Sequence, residues 1–272
     1  SFIRSLRNWR EGAAYTPENL ARLRRDLTAT GAVSRAATHL APPDGNGLRD
    51  VVLDVEPARR NAYELGFGYS TTEGAGVEAQ WTRRNFTGRA DALTVSATLG
   101  ELLSSASLTW ARPHATGLRH TFSLGVSGAH ENTDAFTRDG VALFASVDAS
   151  SRIHVGRSYG VRLAADTYDS LPNATVLSAF ADFRRDDTDF SLDPRTGTIL
   201  DARIEPTLAS SDASSDASSA FARATAEARG YYSFGADQRL TLAGRVRAGW
   251  VEAISGSADD ATERCIHRLL LG

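Results

Sequence analysis

The stretch IHVGRSYGVRLAAD, residues 153–166, decides the fold of this chain. Its apolar and polar side chains alternate almost strictly, which is the period of a β-strand that has one apolar and one polar face. The apolar set comprises Ile153, Val155, Tyr159, Val161, Leu163 and Ala165, and the opposite set comprises His154, Ser158, Arg162 and Asp166. The stretch therefore predicts a long strand with two different faces.

The same alternation continues in both directions, from about residue 61 to about residue 252. Clear examples are Val77, Ala79 and Trp81; Phe122, Leu124 and Val126; Leu200, Ala202 and Ile204; Ala222, Ala224 and Ala226; and Leu240, Leu242 and Val246. Together these stretches predict about eleven strands, several of them 10 to 16 residues long. Strands of soluble domains usually have about 5 to 6 residues, so these strands are unusually long.

The predicted strand length fits a membrane. A tilted ten-residue strand rises roughly 23 Å, about the height of the apolar band of an outer-membrane barrel. Aromatic residues near the predicted strand ends fit the aromatic girdles of such barrels; they are Tyr63, Tyr69, Phe86, Trp110, Tyr168, Phe234 and Trp250. We therefore predict a partial transmembrane antiparallel β-barrel over residues 61–252. The alternative is a soluble β-sandwich with one solvated face per sheet.

Residues 1–60 follow a different pattern and predict a compact α+β domain that is incomplete at its N-terminus. Helical spacing of apolar residues predicts the end of an amphipathic helix near residues 2–9. A second helix is predicted after Thr16 and Pro17, which suit its N-cap and its first turn. The apolar face of this helix holds Leu20, Leu23 and Leu27. Two short strands are predicted next, near residues 33–40 and 51–56.

Composition argues against several classes of protein. The chain has 272 residues, with 30 basic and 33 acidic side chains and a net charge of −3, so it gives no electrostatic reason to expect a nucleic-acid partner. A single Cys excludes a disulfide framework, and the six His show no metal-binding spacing. The chain has no run of 18 apolar residues, so no transmembrane helix is predicted. Because no catalytic motif is present either, we predict no enzyme activity, no cofactor and no metal.

One charged cluster could be interpreted as acid–base chemistry. It comprises Arg184, Arg185, Asp186, Asp187 and Asp189. We interpret it instead as a charged turn between strands, whose backbone is shaped by Pro194 and Gly197. His154 is predicted to be a polar lining residue on the inner face. Residues 210–219, where Ser-Ser-Asp-Ala repeats, predict a solvated loop between the ninth and tenth strands.

Several motifs resemble those of TamA-like outer-membrane assembly factors, which are members of the BamA/TamA superfamily. LDVEP at residues 53–57 and YELGFGYSTT at residues 63–72 resemble the junction between the last POTRA domain and the first barrel strand. RRNFTG at residues 83–88 continues the similarity. FRRDDTDFSLDPRTG at residues 183–197 resembles the interstrand turn of the family, and LRRDLTATGAV at residues 23–33 resembles its POTRA helix-to-strand passage.

The resemblance implies an architecture and a location. It implies a barrel of about sixteen strands in the outer membrane of a Gram-negative bacterium, preceded by POTRA domains in the periplasm. Residues 1–60 would then be an incomplete POTRA domain, and residues 61–252 a partial barrel. Residues 253–272 fit neither the alternation nor the family pattern, and we interpret them as an aberrant or truncated tail.

The resemblance also implies a function and its residues. The chain would assist the insertion or secretion of outer-membrane proteins such as autotransporters, with the lipid bilayer, unfolded clients and a TamB-like periplasm-spanning protein as partners. Gly66, Gly68 and Tyr69 would lie in a first strand that forms a lateral seam with the last strand. Arg185, Asp186, Asp189, Pro194 and Gly197 would form the interstrand turn typical of the family. A two-partner secretion transporter and a passive outer-membrane pore are the alternatives.

Overall fold

The computed structural model describes most of the chain: residues 12–70, 74–117, 119–152, 154–190, 192–212, 218–235 and 240–255. The helix predicted near residues 2–9 and most of the predicted tail lie outside these described residues. No helix in the described ranges is long and apolar enough to cross a membrane.

The N-terminal unit is a helix packed on a two-stranded antiparallel sheet, as its pattern predicts. The helix α1 (Pro17–Ala29) starts with Pro17 in its first turn, although the Thr16 side chain makes no capping hydrogen bond. Leu20, Leu23 and Leu27 are its buried residues. The helix packs on the strands β1 (Val33–Leu40) and β2 (Val51–Pro57), where Ala36 and Leu53 contact the buried leucines.

Within the described residues, eleven further strands form one antiparallel sheet in which each strand pairs with the next along the chain. They are β3 (Asn61–Ser70), β4 (Gly74–Arg84), β5 (Ala92–Gly100), β6 (Leu103–Pro113), β7 (His120–Asn132), β8 (Thr137–Arg152), β9 (Val155–Tyr168), β10 (Ala174–Asp186), β11 (Gly197–Ser211), β12 (Ser218–Phe234) and β13 (Leu240–Ser255). The predicted number of strands is therefore confirmed. The sheet is open within the described chain, with β3 and β13 at its two edges.

The two faces of this sheet have opposite character, and the apolar face is the exposed one. Leu163, Ile204, Leu242 and Val246 are among the many large apolar side chains that are exposed on it. The polar face is concave, because side chains from seven strands, β7 to β13, line a single cavity of about 690 Å³. A soluble sheet would bury its apolar face. The observed arrangement is the one expected of a sheet that has lipid outside and water inside.

The serine-rich stretch at residues 210–219 is shorter as a loop than we predicted. It does lie between the ninth and tenth strands of the sheet, but both strands extend into it, and Ser210 pairs with Ser218. Small alternating Ser and Ala side chains fit a pleated strand without steric conflict, so pairing continues as long as a neighbouring strand is present. At the C-terminal side, β13 extends to Ser255, three residues past the predicted boundary.

Candidate functional site

The first strand of the sheet, β3, offers a free edge. Gly66 and Gly68 pair with Glu78 and Gly76 of β4, and no described strand pairs with β3 on its other side. A free edge presents a row of unpaired backbone N–H and C=O groups to any strand that approaches it. Within the described chain, the strand that holds Gly66, Gly68 and Tyr69 therefore has backbone groups on one side with no strand partner.

The side chains of β3 point away from this edge, to the two faces of the sheet. On the outer face, Tyr63, Leu65, Phe67 and Tyr69 are 76%, 66%, 76% and 78% exposed. On the inner face, a Cβ added to Gly68 would meet no atom within 4 Å, and one added to Gly66 would make only ordinary contact with Glu78. Steric crowding therefore does not explain why either position is glycine. Glycine in a strand interior makes the strand weaker and more flexible, and we expect this effect in β3.

The β10–β11 turn is organised by aspartate side chains. One carboxylate oxygen of Asp189 accepts backbone N–H groups of Phe190, Arg195 and Thr196 at 3.0, 2.9 and 3.1 Å. These hydrogen bonds, led by that of Arg195, hold the pKa of Asp189 below its ordinary value. Asp186, at the end of β10, accepts the Thr188 hydroxyl at 2.6 Å.

Other residues of the predicted turn support its backbone. Gly197 has φ +112°, and a Cβ there would collide with the carbonyl oxygen of Asp187, so the position requires glycine. Arg185 donates to the carboxylate of Asp187 at 2.5 Å, and Pro194 is half-buried. The charged side chains of this turn are thus engaged in holding its shape. This geometry supports a structural role for the cluster rather than acid–base chemistry.

Replacing Asp189 with alanine should loosen the turn, because three backbone N–H groups lose their common acceptor. We expect cleavage between residues 187 and 197 by added protease to become several-fold faster, while the rest of the sheet stays resistant. Asp193→Ala is the matched control, since Asp193 is exposed and, among the described residues, its one ion pair is with Arg195 at 3.6 Å. The wild-type turn should lose the same support as the pH falls below about 4, because a carboxylate with a depressed pKa stabilises only while ionised. Equal cleavage rates in both variants would contradict this role.

The inner face of β10 to β13 carries a ladder of ion pairs across the strands. The Asp201 carboxylate accepts from Arg184 at 3.2 Å and from Arg229 at 3.1 Å. The Glu227 carboxylate accepts from Arg229 at 2.7 Å and from Arg245 at 2.6 Å. Each arginine joins two neighbouring strands or two carboxylates, so the charges of this face are largely compensated.

A second group of charges lies on the same face, further along the strands from the β10–β11 turn. Arg203 contacts Asp182 at 3.3 Å and Glu205 at 3.0 Å, and Glu205 also accepts from Arg223 at 3.0 Å. The guanidinium of Arg203 lies 4.7 Å from the ring centroid of Phe180, a distance at which cation–π attraction operates. Phe180 thus lies beside these charges on the same face of the sheet.

The inner face of β4 to β7 is different, because it presents mainly hydroxyl groups. Thr82 and Thr94 lie 3.3 Å apart, and Ser96 and Ser107 lie 2.7 Å apart, in hydrogen-bonded pairs across the strands. The inner face of β4 to β7 therefore carries fewer charges than that of β10 to β13, although Glu78 also lies on it.

The β4–β5 turn contains a residue that the sequence analysis missed. Asp91 has no exposed surface, and it accepts the indole N–H of Trp110 at 2.7 Å and the backbone N–H of Thr87 at 2.9 Å. Burial raises its pKa, but these hydrogen bonds outweigh burial and leave the pKa below its ordinary value. We had assigned Trp110 only to an aromatic girdle. The feature of the sequence that could have identified Asp91 is its position at the end of a turn, directly before a strand in which apolar and polar residues alternate.

The N-terminal unit contacts the sheet at the β6–β7 turn. Asp26 of α1 forms an ion pair with Arg119 at 3.2 Å. The backbone N–H of Arg119 donates to Nδ1 of His114 at 2.9 Å, and burial lowers the pKa of His114. A neutral His114 therefore accepts this hydrogen bond near pH 7.

Two further predictions concern histidines and metals. We predicted that His154 lines the inner face; it lies in the turn directly before β9, exposed, where Nδ1 contacts the carbonyl oxygen of Asp186 at 2.7 Å, and its lining role stays a prediction. Among the described residues, no group of three or more His, Cys, Asp or Glu could hold a metal ion.

Comparison with known proteins gives a family and a number of similar solved structures. The Omp85 superfamily domain matches residues 85–263. The fold is similar to that of BamA from Haemophilus ducreyi lacking POTRA domains 1–3, with a TM-score of 0.74 and 13% identity, over 93% of this chain and 53% of that chain. CdiB from Acinetobacter baumannii gives a TM-score of 0.49 and 12% identity, over 94% of this chain and 51% of that chain. The chain thus spans about half the length of these solved chains.

Proposed function

Since this chain belongs to the Omp85 superfamily, we propose that it is part of an outer-membrane factor that assists the insertion or secretion of outer-membrane proteins. In this proposal the exposed apolar face contacts the lipid bilayer, and the concave polar face surrounds a hydrated interior. Unfolded outer-membrane proteins are the clients. The observation that carries the proposal is the sheet itself, whose exposed face is apolar and whose concave face is polar. In the full protein, an opened edge of β3 would template a client strand by β-augmentation.

The finer assignment follows the resemblance of the motifs. We propose a TamA-like factor that acts on clients such as autotransporters and works with a TamB-like partner. The N-terminal unit would be the periplasmic POTRA domain nearest to the barrel, and its helix–strand–strand order supports this. The Asp26–Arg119 ion pair would then couple that domain to the barrel. The proposal gives the chain no catalytic role, because strand exchange and client folding drive the process.

The glycines of β3 make this proposal testable. In the full protein that contains this chain, Gly68→Val should slow client insertion several-fold. A β-branched residue stiffens the strand and strengthens its pairing at the seam, so the open edge becomes rarer. The measurement is the fraction of an unfolded outer-membrane client that reaches its heat-modifiable folded form in proteoliposomes over time.

Gly156→Val is the matched control, since Gly156 lies on the inner face of an interior strand and a Cβ there also meets no atom within 4 Å. The control should insert clients at the wild-type rate. Two results would overturn the seam: equal rates in both variants, or equal slowing in both.

A two-partner secretion transporter is the second candidate, because the polar inner face of β4 to β13 also suits the passage of one polypeptide through the interior. It predicts that a secreted substrate crosses the liposome membrane while client insertion stays at the level of empty liposomes. A passive pore predicts ion conductance with neither activity.

A further inference from the structure

A groove crosses the outer face of the sheet between β9 and β13. Its volume is about 600 Å³, and most of its lining is apolar. Large side chains form its walls, namely Tyr159, Phe183, Ile204 and Trp250. Between them the surface is low, because Ala202, Ala226 and Ala248 lie side by side on three neighbouring strands.

A cation lies at one end of this groove. Arg157 pairs directly with Phe183 and shares the outer face with Tyr159, since side chains two residues apart on a strand lie on the same face. Its side chain is exposed, and within the described chain it has neither an ion pair nor a hydrogen-bond partner. The neighbouring outer-face cation, Arg185, is already bound to Asp187. The positive charge at the groove is therefore unneutralised.

The position of Arg157 along its strand is also informative. Successive antiparallel strands reverse direction, so β3, β5, β7 and β9 all begin at the same end of the sheet. The N-terminal unit joins β3 at that end, and its Asp26 contacts Arg119 just before β7 begins. Arg157 is the third residue of β9, so it lies close to this end. In the proposed function this end faces the periplasm, at the height of the headgroups of the inner leaflet.

We propose that this groove is a binding site for one phospholipid, with its phosphate on Arg157 and one acyl chain lying over Ala202, Ala226 and Ala248. The proposal rests on the proposed function, because it needs the outer face to be in the bilayer. A guanidinium binds phosphate with directed hydrogen bonds. Lipid tails are as apolar as the groove, so the phosphate contact and close packing against Trp250 and Phe183 select the bound lipid over bulk lipid.

Native mass spectrometry of the detergent-released full protein, titrated with dipalmitoyl phosphatidylglycerol, tests the site. Arg157→Gln should weaken retention of one lipid about fivefold, since one basic residue near a lipid headgroup contributes about 1 kcal/mol. Ala226→Phe fills the groove without changing any charge, and it should weaken retention at least as much.

Two controls separate this site from general lipid adhesion. Arg112→Gln removes an outer-face cation at the same end of β6, outside this groove. Ala165→Phe enlarges an outer-face alanine of β9 outside the groove. Both controls should retain lipid as the wild type does. If all four variants lose lipid equally, or none does, the site is disproved. A dimer that Ala226→Phe abolishes would also overturn it, because a second copy would then occupy the groove.

The heat-modifiable, membrane-inserted form of each variant is measured in parallel. If the wild-type protein fails to insert into liposomes, the proposed function fails with the site. If every variant inserts and assists clients normally while lipid retention does not respond to Arg157 or Ala226, only the lipid site fails.

Discussion

Replacing Gly160 with valine should prevent most of the protein from reaching its folded form. Gly160 lies on the inner face of β9, and an added Cβ would lie 2.5 Å from the carbonyl oxygen of Ala145 and 2.8 Å from the ring of Phe180. The carbonyl belongs to the β8 backbone and cannot move without loss of strand pairing. The guanidinium of Arg203 also lies over the ring, 4.7 Å from its centroid. We expect a loss of about 3 kcal/mol or more in the free energy of unfolding.

The measurement is the fraction of protein that becomes heat-modifiable after refolding from urea into detergent micelles. Gly156→Val is the control, four residues earlier on the same strand and the same face, where a new Cβ meets no atom within 4 Å. We expect the control to refold like the wild type. If Gly160→Val refolded as completely as the control, the close packing of Phe180 over β9 would be wrong.

Replacing Asp91 with alanine should have the next largest effect. The partly buried hydrogen bonds that Asp91 accepts from the indole N–H of Trp110 and the backbone N–H of Thr87 would both be lost, and a hydrogen bond to a charged group contributes about 1.5–3 kcal/mol. We expect the free energy of unfolding to fall by about 2–4 kcal/mol. Trp110→Phe should show part of this loss, because it removes one donor and leaves the turn otherwise intact.

The pH dependence of this effect has a definite sign. The pKa of Asp91 in the folded protein lies below its ordinary value, so its contribution is complete above about pH 4 and is lost as the pH falls through the folded-state pKa. Urea unfolding of the wild type and of Asp91→Ala should therefore converge at low pH. Asp134→Ala, at an exposed loop position, should unfold like the wild type throughout. A difference between wild type and Asp91→Ala that stayed constant down to pH 2 would contradict this role.

Local patterns predicted the elements of this fold well, for physical reasons that act over a few residues. Pro17 can start a helix because the first turn needs no N–H donor there. Gly31 follows the helix with φ +68°, a conformation that glycine adopts without strain. Strict alternation predicted the long strands because successive side chains of a strand point to opposite faces.

The same reasoning failed where cross-strand partners decide the structure. Ser210 and Ser218 belong to a serine-rich stretch whose composition predicts a loop. They nevertheless pair, because β11 and β12 bring them together. Asp91 was overlooked because its partner Trp110 lies 19 residues away. In both cases the deciding contact comes from another strand, and sequence spacing does not reveal it.

The sequence by itself determined that this chain consists of a small α+β unit followed by eleven long strands, each with an apolar and a polar face. Only the tertiary structure decided which of two glycines of β9 has no room for a side chain, and which of two neighbouring outer-face arginines has no carboxylate partner among the described residues. Gly156 and Gly160 are alike in sequence and differ because Phe180 lies over one of them. Arg157 and Arg185 are both outer-face cations, but only Arg185 has a carboxylate partner in the described chain. Strand register sets these contacts, and register joins residues that are far apart along the chain.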